Sequence, residues 1–416
     1  MPDTTSTPQP PTRVHHSQAP LPPSLPADDP AMLTEPNLPT AARPGYLPRQ
    51  LVMVGAGWAH LHVLLELARK PLVGARITLI TPHASTMPSN LLPGYSAGQY
   101  SLQECSIALE PLVRRAGIRW LTRGVQLMDA HTCKLHLDDG TSMQYDWLSV
   151  NTDAAQFTRS SLAHLPGARE HGLWLRPAER FTSQWAKVVA LGQQSGLRIA
   201  VVGAGALGVE MALAVRHRLP NASVTLLTGG GPLAGSYPPS VRAKLVAALQ
   251  AQRITVLHER ASALGADAVQ LASGATLACH LPILATGGVA PQWLYDSGLA
   301  LDAQGAVAVN ALQRSTSHAN VFAIGEVSAR ADVTALAQAT IDRDGAAALL
   351  RNLHAVVGKH SVVPLRPARA PLRILALGGG RALAAWGVFA LTGRWVGWLK
   401  RRTELRLLAR YRNAAD

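Results

Sequence analysis

Two stretches of this 416-residue chain bring together residue types that do chemistry as a group. Leu51-Val52-Met53-Val54 runs into Gly55-Ala56-Gly57, and Ile199-Ala200-Val201-Val202 runs into Gly203-Ala204-Gly205-Ala206-Leu207-Gly208-Val209-Glu210. In each, an apolar run ends in Gly-x-Gly and continues as a helix-compatible segment. Glycine allows the tight turn and a close backbone approach, so the N–H groups that open the helix converge on an anion at the favourable end of the dipole. The chemistry implied is capture of a pyrophosphate, and two such sites predict two dinucleotides. Only the second has its third glycine. The first has His60 at that place, and Thr81 and Thr228 end the following strands where an acid often meets a ribose.

Other polar groups are delivered by apolar strands. Phe322-Ala323-Ile324-Gly325-Glu326 reads as a buried strand that places a glycine and a carboxylate at its carboxyl end, the edge where open α/β sheets bind ligands. Glu326 is therefore a candidate acceptor for a polyol or sugar hydroxyl. Met87 to Gly98, which includes Leu92 and Pro93, is a Pro- and Gly-punctuated loop apolar enough to receive something flat or to cap the core. Ala337-Gln338-Ala339-Thr340 opens a helix expected to run to Leu353.

The elements that must position these groups follow in order. Arg76–Ile80, Ile118–Leu121 and Tyr145–Val150 read as strands, Glu110–Ala116 as a helix, and Lys134–Leu137 with Ser142–Tyr145 as a hairpin on Asp139-Gly140. The strand ending in Asn151-Thr152-Asp153 is echoed at Leu281–Leu284 with Ala285-Thr286-Gly287-Gly288, and the whole second glycine unit lies between. This predicts an α/β fold of two nested Rossmann-like dinucleotide-binding domains, one inserted into the other. The expected boundaries are 1–48, 49–165, 166–288, 289–358 and 359–416.

Composition narrows the function classes. A 48% hydrophobic content and a mean hydropathy of +0.10 describe a folded chain. Met1 to about Pro48, rich in Pro, Ser and Thr, is expected to be a disordered tail without the apolar run of a secretory leader. Cys105, Cys133 and Cys279 form no paired motif, which speaks against a disulfide framework or a zinc site and for buried thiols in a reducing compartment. The net charge of +14 is uneven, because Arg366–Asp416 holds eleven Arg and Lys against Glu404 and Asp416. That block predicts an anionic partner.

Taken together, Gly55-Ala56-Gly57, Leu91-Leu92-Pro93-Gly94 with Ala97-Gly98, Tyr145-Asp146-Trp147-Leu148-Ser149, Gly203 to Glu210, Ala285-Thr286-Gly287 and Phe322 to Glu326 resemble the two-dinucleotide flavoproteins of the pyridine nucleotide oxidoreductase superfamily. The likeness is greatest to type II NADH:quinone dehydrogenases and to the flavoprotein module fused to selenophosphate synthetase. It implies FAD at Gly55, Ala56, Gly57, Leu92, Pro93, Gly325 and Glu326, and NAD(P)H at Gly203, Gly205, Gly208 and Gly287. It further implies that Glu210 lies by the nicotinamide and that Gln338 faces flavin and acceptor. The implied activity is hydride transfer from NAD(P)H to FAD and electron transfer to a quinone-like acceptor; a flavin-binding regulatory or selenium-linked module is the alternative. The chain departs from the pattern at Glu326, usually Asp, at Asp153, usually Gly, and at the second Gln of the Gln338 helix, where Asp342 and Arg343 stand nearby. The related sulfide:quinone reductases need cysteines by the flavin, and none of the three here matches those positions.

Ala382 to Leu399, followed by Lys400-Arg401-Arg402, is short for a membrane span and carries Trp386, Trp395 and Trp398. It is expected to be an interfacial anchor on an anionic membrane, with tryptophans packed into a C-terminal core as the competing reading. Aromatic and leucine interleaving favours lipid over nucleic acid. The expected location is peripheral, on the cytoplasmic face of the cell membrane, with a homodimer possible.

Overall fold

The computed structural model describes residues 48–152, 165–194, 196–288 and 290–412. The expected tail lies outside these residues, as does Asp153. β1 (Arg49–Val54) leads through the glycine turn into α1 (Trp58–Leu67), then β2 (Ala75–Ile80), the short α2 (Leu92–Ser96), β3 (Arg119–Leu121) and β4 (Trp147–Val150). The second unit follows: β5 (Leu173–Trp174), β6 (Arg198–Val202), α3 (Ala206–Arg218), β7 (Ser223–Leu227), β8 (Thr255–Leu257) and β9 (Leu281–Leu284). β10 (Val321–Ala323) then returns to the first sheet, whose order is β10-β4-β1-β2-β3; the second sheet runs β5-β9-β6-β7-β8. Every ladder in both sheets is parallel.

Parallel sheets are covered on both faces, so their strands are continuous apolar runs whose alternate residues serve different cores. In β1, Leu51 and Met53 join α1 in the main core, while Val52 and Val54 pack under an antiparallel sheet of Val125–Asp129, Lys134–Leu137 and Ser142–Gln144. In the second sheet Ala200 and Val202 face a matching antiparallel sheet through Val269 and Leu271. The expected hairpin is present and gains Val125–Asp129 as a third strand, whose partly polar sequence carried little signal.

Two expected elements differ. The apolar loop contains α2, with Leu92 and Pro93 buried, so it contributes to the core. The expected helix Ala337–Leu353 is two helices, α4 (Ala335–Asp344) and α5 (Ala346–Val357), broken at Gly345, where an added Cβ would lie 2.6 Å from Ile341 O and 2.8 Å from the Gln313 side chain.

The chain ends in β11 (Arg373–Ala376), β12 (Ala382–Trp386) and β13 (Phe389–Gly393), an antiparallel sheet, and α6 (Arg394–Arg412). No described helix is long and apolar enough to cross a membrane.

The glycines of the second turn differ sharply in what surrounds them. A Cβ on Gly208 would stand 1.8 Å from Gly203 O, whereas one on Gly205 meets nothing within 4 Å. Gly208→Ala is therefore expected to cost roughly 3 kcal/mol and Gly205→Ala under about 0.5. Denaturant unfolding of the two variants checks this; equal losses would contradict the packing described.

Candidate functional site

At the first turn, Gly55 has φ +88° and its N–H bonds Ile80 O at 2.9 Å, while the Gly57 N–H bonds Asn151 O at 3.0 Å. A Cβ on Gly57 would lie 2.6 Å from Asn151 Oδ1. The glycine thus makes room for the Asn151 side chain at the end of β4 as well as for a ligand.

His60 replaces the third glycine by a hydrogen bond. Gly203 O sits against Gly208 in the second unit; the equivalent Gly55 O lies 2.7 Å from His60 Nδ1. A carbonyl only accepts, so Nδ1 carries the proton and Nε2, 2.8 Å from Ser149 Oγ, accepts from that hydroxyl. The ring is fully buried, and desolvation holds it neutral, with its pKa lowered to about 4 despite the carbonyl partner.

The remaining amides at the start of α1 meet side chains. His60 N donates to Asn151 Oδ1 at 3.0 Å and Ala59 N to Asp342 Oδ1 at 3.1 Å; Asn151 Nδ2 donates to Asp342 Oδ1 at 2.9 Å. Burial, with the Glu326 carboxylate adding to it, pushes Asp342 up to about 6, against the hydrogen bonds that favour its charge. Beside these groups a groove runs between Ala56, Gly57, Trp58, Thr86, Pro88 and Thr152, with Glu326 and Asp342 at its edge. Thr152 Oγ1 is buried without a partner among the described residues.

Gly325, at φ +83°, lets the chain turn beside Asn151 and Asp342. Glu326 forms an ion pair with Arg176, from the segment after β5, and so joins the two sheets. Gln338 Nε2 donates to Ser328 O at 2.7 Å, leaving its buried Oε1 without a partner among the described residues. Glu210 is enclosed. Its Oε1 accepts the Ala376 N–H of β11 at 2.6 Å, and burial raises its pKa even with Lys400 and Arg373 near. It supports the C-terminal sheet through that bond. Gly203, Gly205 and Gly208 form that turn, and no described side chain bonds the first amides of α3. Gly287 is exposed beyond β9, with open space where a Cβ would be. Thr81 and Thr228 are buried where acids were sought.

α6 lies over the first unit. Tyr100 OH donates to Glu404 Oε2 at 2.7 Å, Lys400 Nζ reaches Glu404 Oε1 at 2.5 Å, and Trp58 stacks at a tilt on Tyr411, ring centroids 5.7 Å apart. Sequence reasoning missed Asn151, Glu404 and Tyr411. Glu404 carried one signal, being the single acid of a basic helix.

Residues 49–343 match the pyridine nucleotide-disulphide oxidoreductases. The chain belongs to that family. FAD and NAD(P)H are the cofactors of the family. The demethylphylloquinone reductase NdbB of Synechocystis sp. is 25% identical over 301 residues, 69% of this chain and 72% of that protein. The sulfide:quinone oxidoreductase of Aquifex aeolicus matches with a TM-score of 0.72 at 17% identity, covering 88% of this chain and 92% of that one. NDH2 of Plasmodium falciparum, solved with NADH, matches at 0.70 and 13%, covering 89% and 97%. At these identities the structural likeness is one of fold. Cys105 and Cys279 are buried, and desolvation pushes Cys105 up to about 12, which leaves its sulfur a poor nucleophile.

His60 and Asp342 give opposite pH dependences. His60 is harder to protonate folded than unfolded, so its contribution is lost as pH falls from 6.5 to about 4, roughly 3 kcal/mol in all. Asp342 is easier to protonate folded, so stability is gained as pH falls through about 6; with its edge on the groove, about 2 kcal/mol. Relative to the native chain, His60→Gln is expected to gain stability between pH 6.5 and 4 and Asp342→Asn to lose it. Unfolding midpoints across that range check both signs.

Proposed function

We propose that the protein is a FAD-dependent NAD(P)H oxidoreductase that delivers electrons to a quinone-like acceptor at a membrane surface. The observation that carries this reading is the union, in one chain, of two glycine-turn sheet edges with a C-terminal sheet and helix whose aromatic side chains face outward. Trp386, Phe389, Trp395 and Trp398 are 60%, 67%, 59% and 60% exposed. Apolar patches of this kind mark interaction surfaces.

The residues present fit the two cofactors in shape. Gly203, Gly205 and Gly208 present open helix amides for the nicotinamide dinucleotide, with Gly287 on the facing strand end. Ala56, Gly57 and Glu326 line the groove for FAD, with Gly55 and Gly325 making the turns beside it, and the unsatisfied Thr152 hydroxyl can donate or accept while Gln338 Oε1 can accept. Bound flavin supplies the two-electron redox chemistry. The chain supplies position and dryness. Trp58, Thr86 and Pro88 line the groove with Leu92 and Pro93 buried in the core of the same unit, Gln338 is held by Ser328, and α6 is fixed over the unit through its Tyr100, Lys400 and Glu404 contacts. We assign Glu210 to holding β11 against α3.

A cavity of about 460 Å³ lies among Tyr100, Arg381, Arg394, Trp395, Trp398 and Arg401. Its arginines and the exposed aromatics suit the anionic cytoplasmic face of a membrane and the entry of an apolar acceptor. The interfacial expectation changes form here, because Ala382–Leu399 is a hairpin plus the first turns of α6, with Trp386 near the hairpin tip.

Anaerobic NADH or NADPH is expected to bleach the flavin absorbance of the holoenzyme, and Gly205→Val to prevent this while FAD stays bound. No bleaching with either nucleotide would overturn the reading. Trp386→Ser with Phe389→Ser is expected to weaken binding to anionic vesicles roughly tenfold or more, each ring contributing on the order of 1–2 kcal/mol, while reduction of a soluble dye continues. Unchanged vesicle flotation would remove the membrane from the proposal.

A further inference from the structure

The two nucleotide turns of this chain differ in one respect that bears on how the first is filled. A helix start leaves its first amides without intrahelical partners, and these are the groups that bind a pyrophosphate. At α3 no described side chain takes them. At α1 two are taken by side chains from elsewhere in the chain: His60 N by Asn151 at 3.0 Å and Ala59 N by Asp342 at 3.1 Å. Asp342 reaches this position from α4, and Asn151 steadies it by donating Nδ2 to Oδ1. A carboxylate on helix amides is the chemical counterpart of a phosphate, with negative charge and oxygen acceptors.

We propose that Asp342 is an internal competitor for the first dinucleotide site, its carboxylate occupying the pyrophosphate amides until FAD displaces it or a proton neutralises it. This rests on the assignment of that site to FAD. The surroundings make neutralisation accessible. The charged or titratable groups facing Asp342 are Glu326 at the turn after β10, itself paired with Arg176, and Tyr411 of α6; Asn151 links Asp342 to the backbone amide of His60, whose neutral ring is bonded elsewhere. Burial chiefly, with the Glu326 carboxylate adding to it, pushes Asp342 up to about 6. The same carboxylate that blocks a phosphate in neutral solution becomes a donor to one in mild acid.

The test is titration of the FAD-free full-length protein with FAD, read by tryptophan quenching, at pH 5.5 and 7.5. Native protein is expected to bind more tightly at pH 5.5. Asp342→Ala is expected to bind on the order of tenfold to a hundredfold more tightly than native at pH 7.5, the scale of one charge-assisted hydrogen bond regained, and to lose the pH dependence. Asp342→Asn, nearly isosteric, keeps the experiment decisive where Asp342→Ala folds poorly, and should fall between the two. Titration with NADH, directed at the second turn, should be unchanged by either variant. Equal or weaker FAD binding by both variants, or an unaltered pH dependence, overturns the competitor while leaving the FAD site standing. Failure of native and variant proteins alike to bind FAD overturns the site assignment and the competitor together.

Discussion

A helix cannot begin without leaving backbone N–H groups that something must accept, and this molecule is arranged around two answers to that demand. Both helices start from a glycine turn at the carboxyl edge of a parallel sheet. In the second unit the answer is left to solvent or ligand. In the first it comes from the chain, and it recruits residues far apart in sequence: Asn151 from the end of β4 and Asp342 from α4. The buried His60 secures the same turn from below through Gly55 O. The strand end, the turn and the return helix therefore form one hydrogen-bonded unit, and the first sheet is closed by that unit as well as by its apolar core.

The local patterns that specify the sheets act over a few residues and were readable before any coordinates. Apolar runs such as Leu51–Val54 and Ile199–Val202, each followed by Gly-x-Gly, mark a strand, a turn and a helix by backbone chemistry alone. The return of Val321–Ala323 to the first sheet was readable too, because the β4 strand end is echoed at β9 with the whole second glycine unit between them, so the outer domain had to resume beyond. What escaped was set by contacts across hundreds of residues. Nothing near Asn151 in sequence announces that its side chain fills the space above Gly57. The break at Gly345 depends on Gln313 and Leu365, which only tertiary packing brings near. Ala382–Leu399 has the composition of one apolar helix, yet Gly387, with φ +56°, turns its first part into a hairpin.

Glu210 shows how a motif residue takes its role from its neighbours. Its place after the second fingerprint suggests a position near the nicotinamide; its carboxylate also holds the Ala376 N–H, with Arg373 and Lys400 close by. A buried acid so engaged ties the helix that begins at the second turn to the sheet that carries the outward aromatics. Arg176 and Glu326 make a comparable tie between the two parallel sheets. These links give the chain few places where one unit can move without disturbing another.

The position of α6 has a consequence for how such a protein can change over evolutionary time. The same helix carries exposed Trp395 and Trp398 on one side and buried Val396, Leu408 and Tyr411 on the other. The outward aromatics and the roofing of the first unit are thus written into one stretch of sequence. The outward aromatics cannot be removed by cutting α6 away, because the roof would leave with them. They can be exchanged one by one for polar residues, while the inward positions must keep their packing.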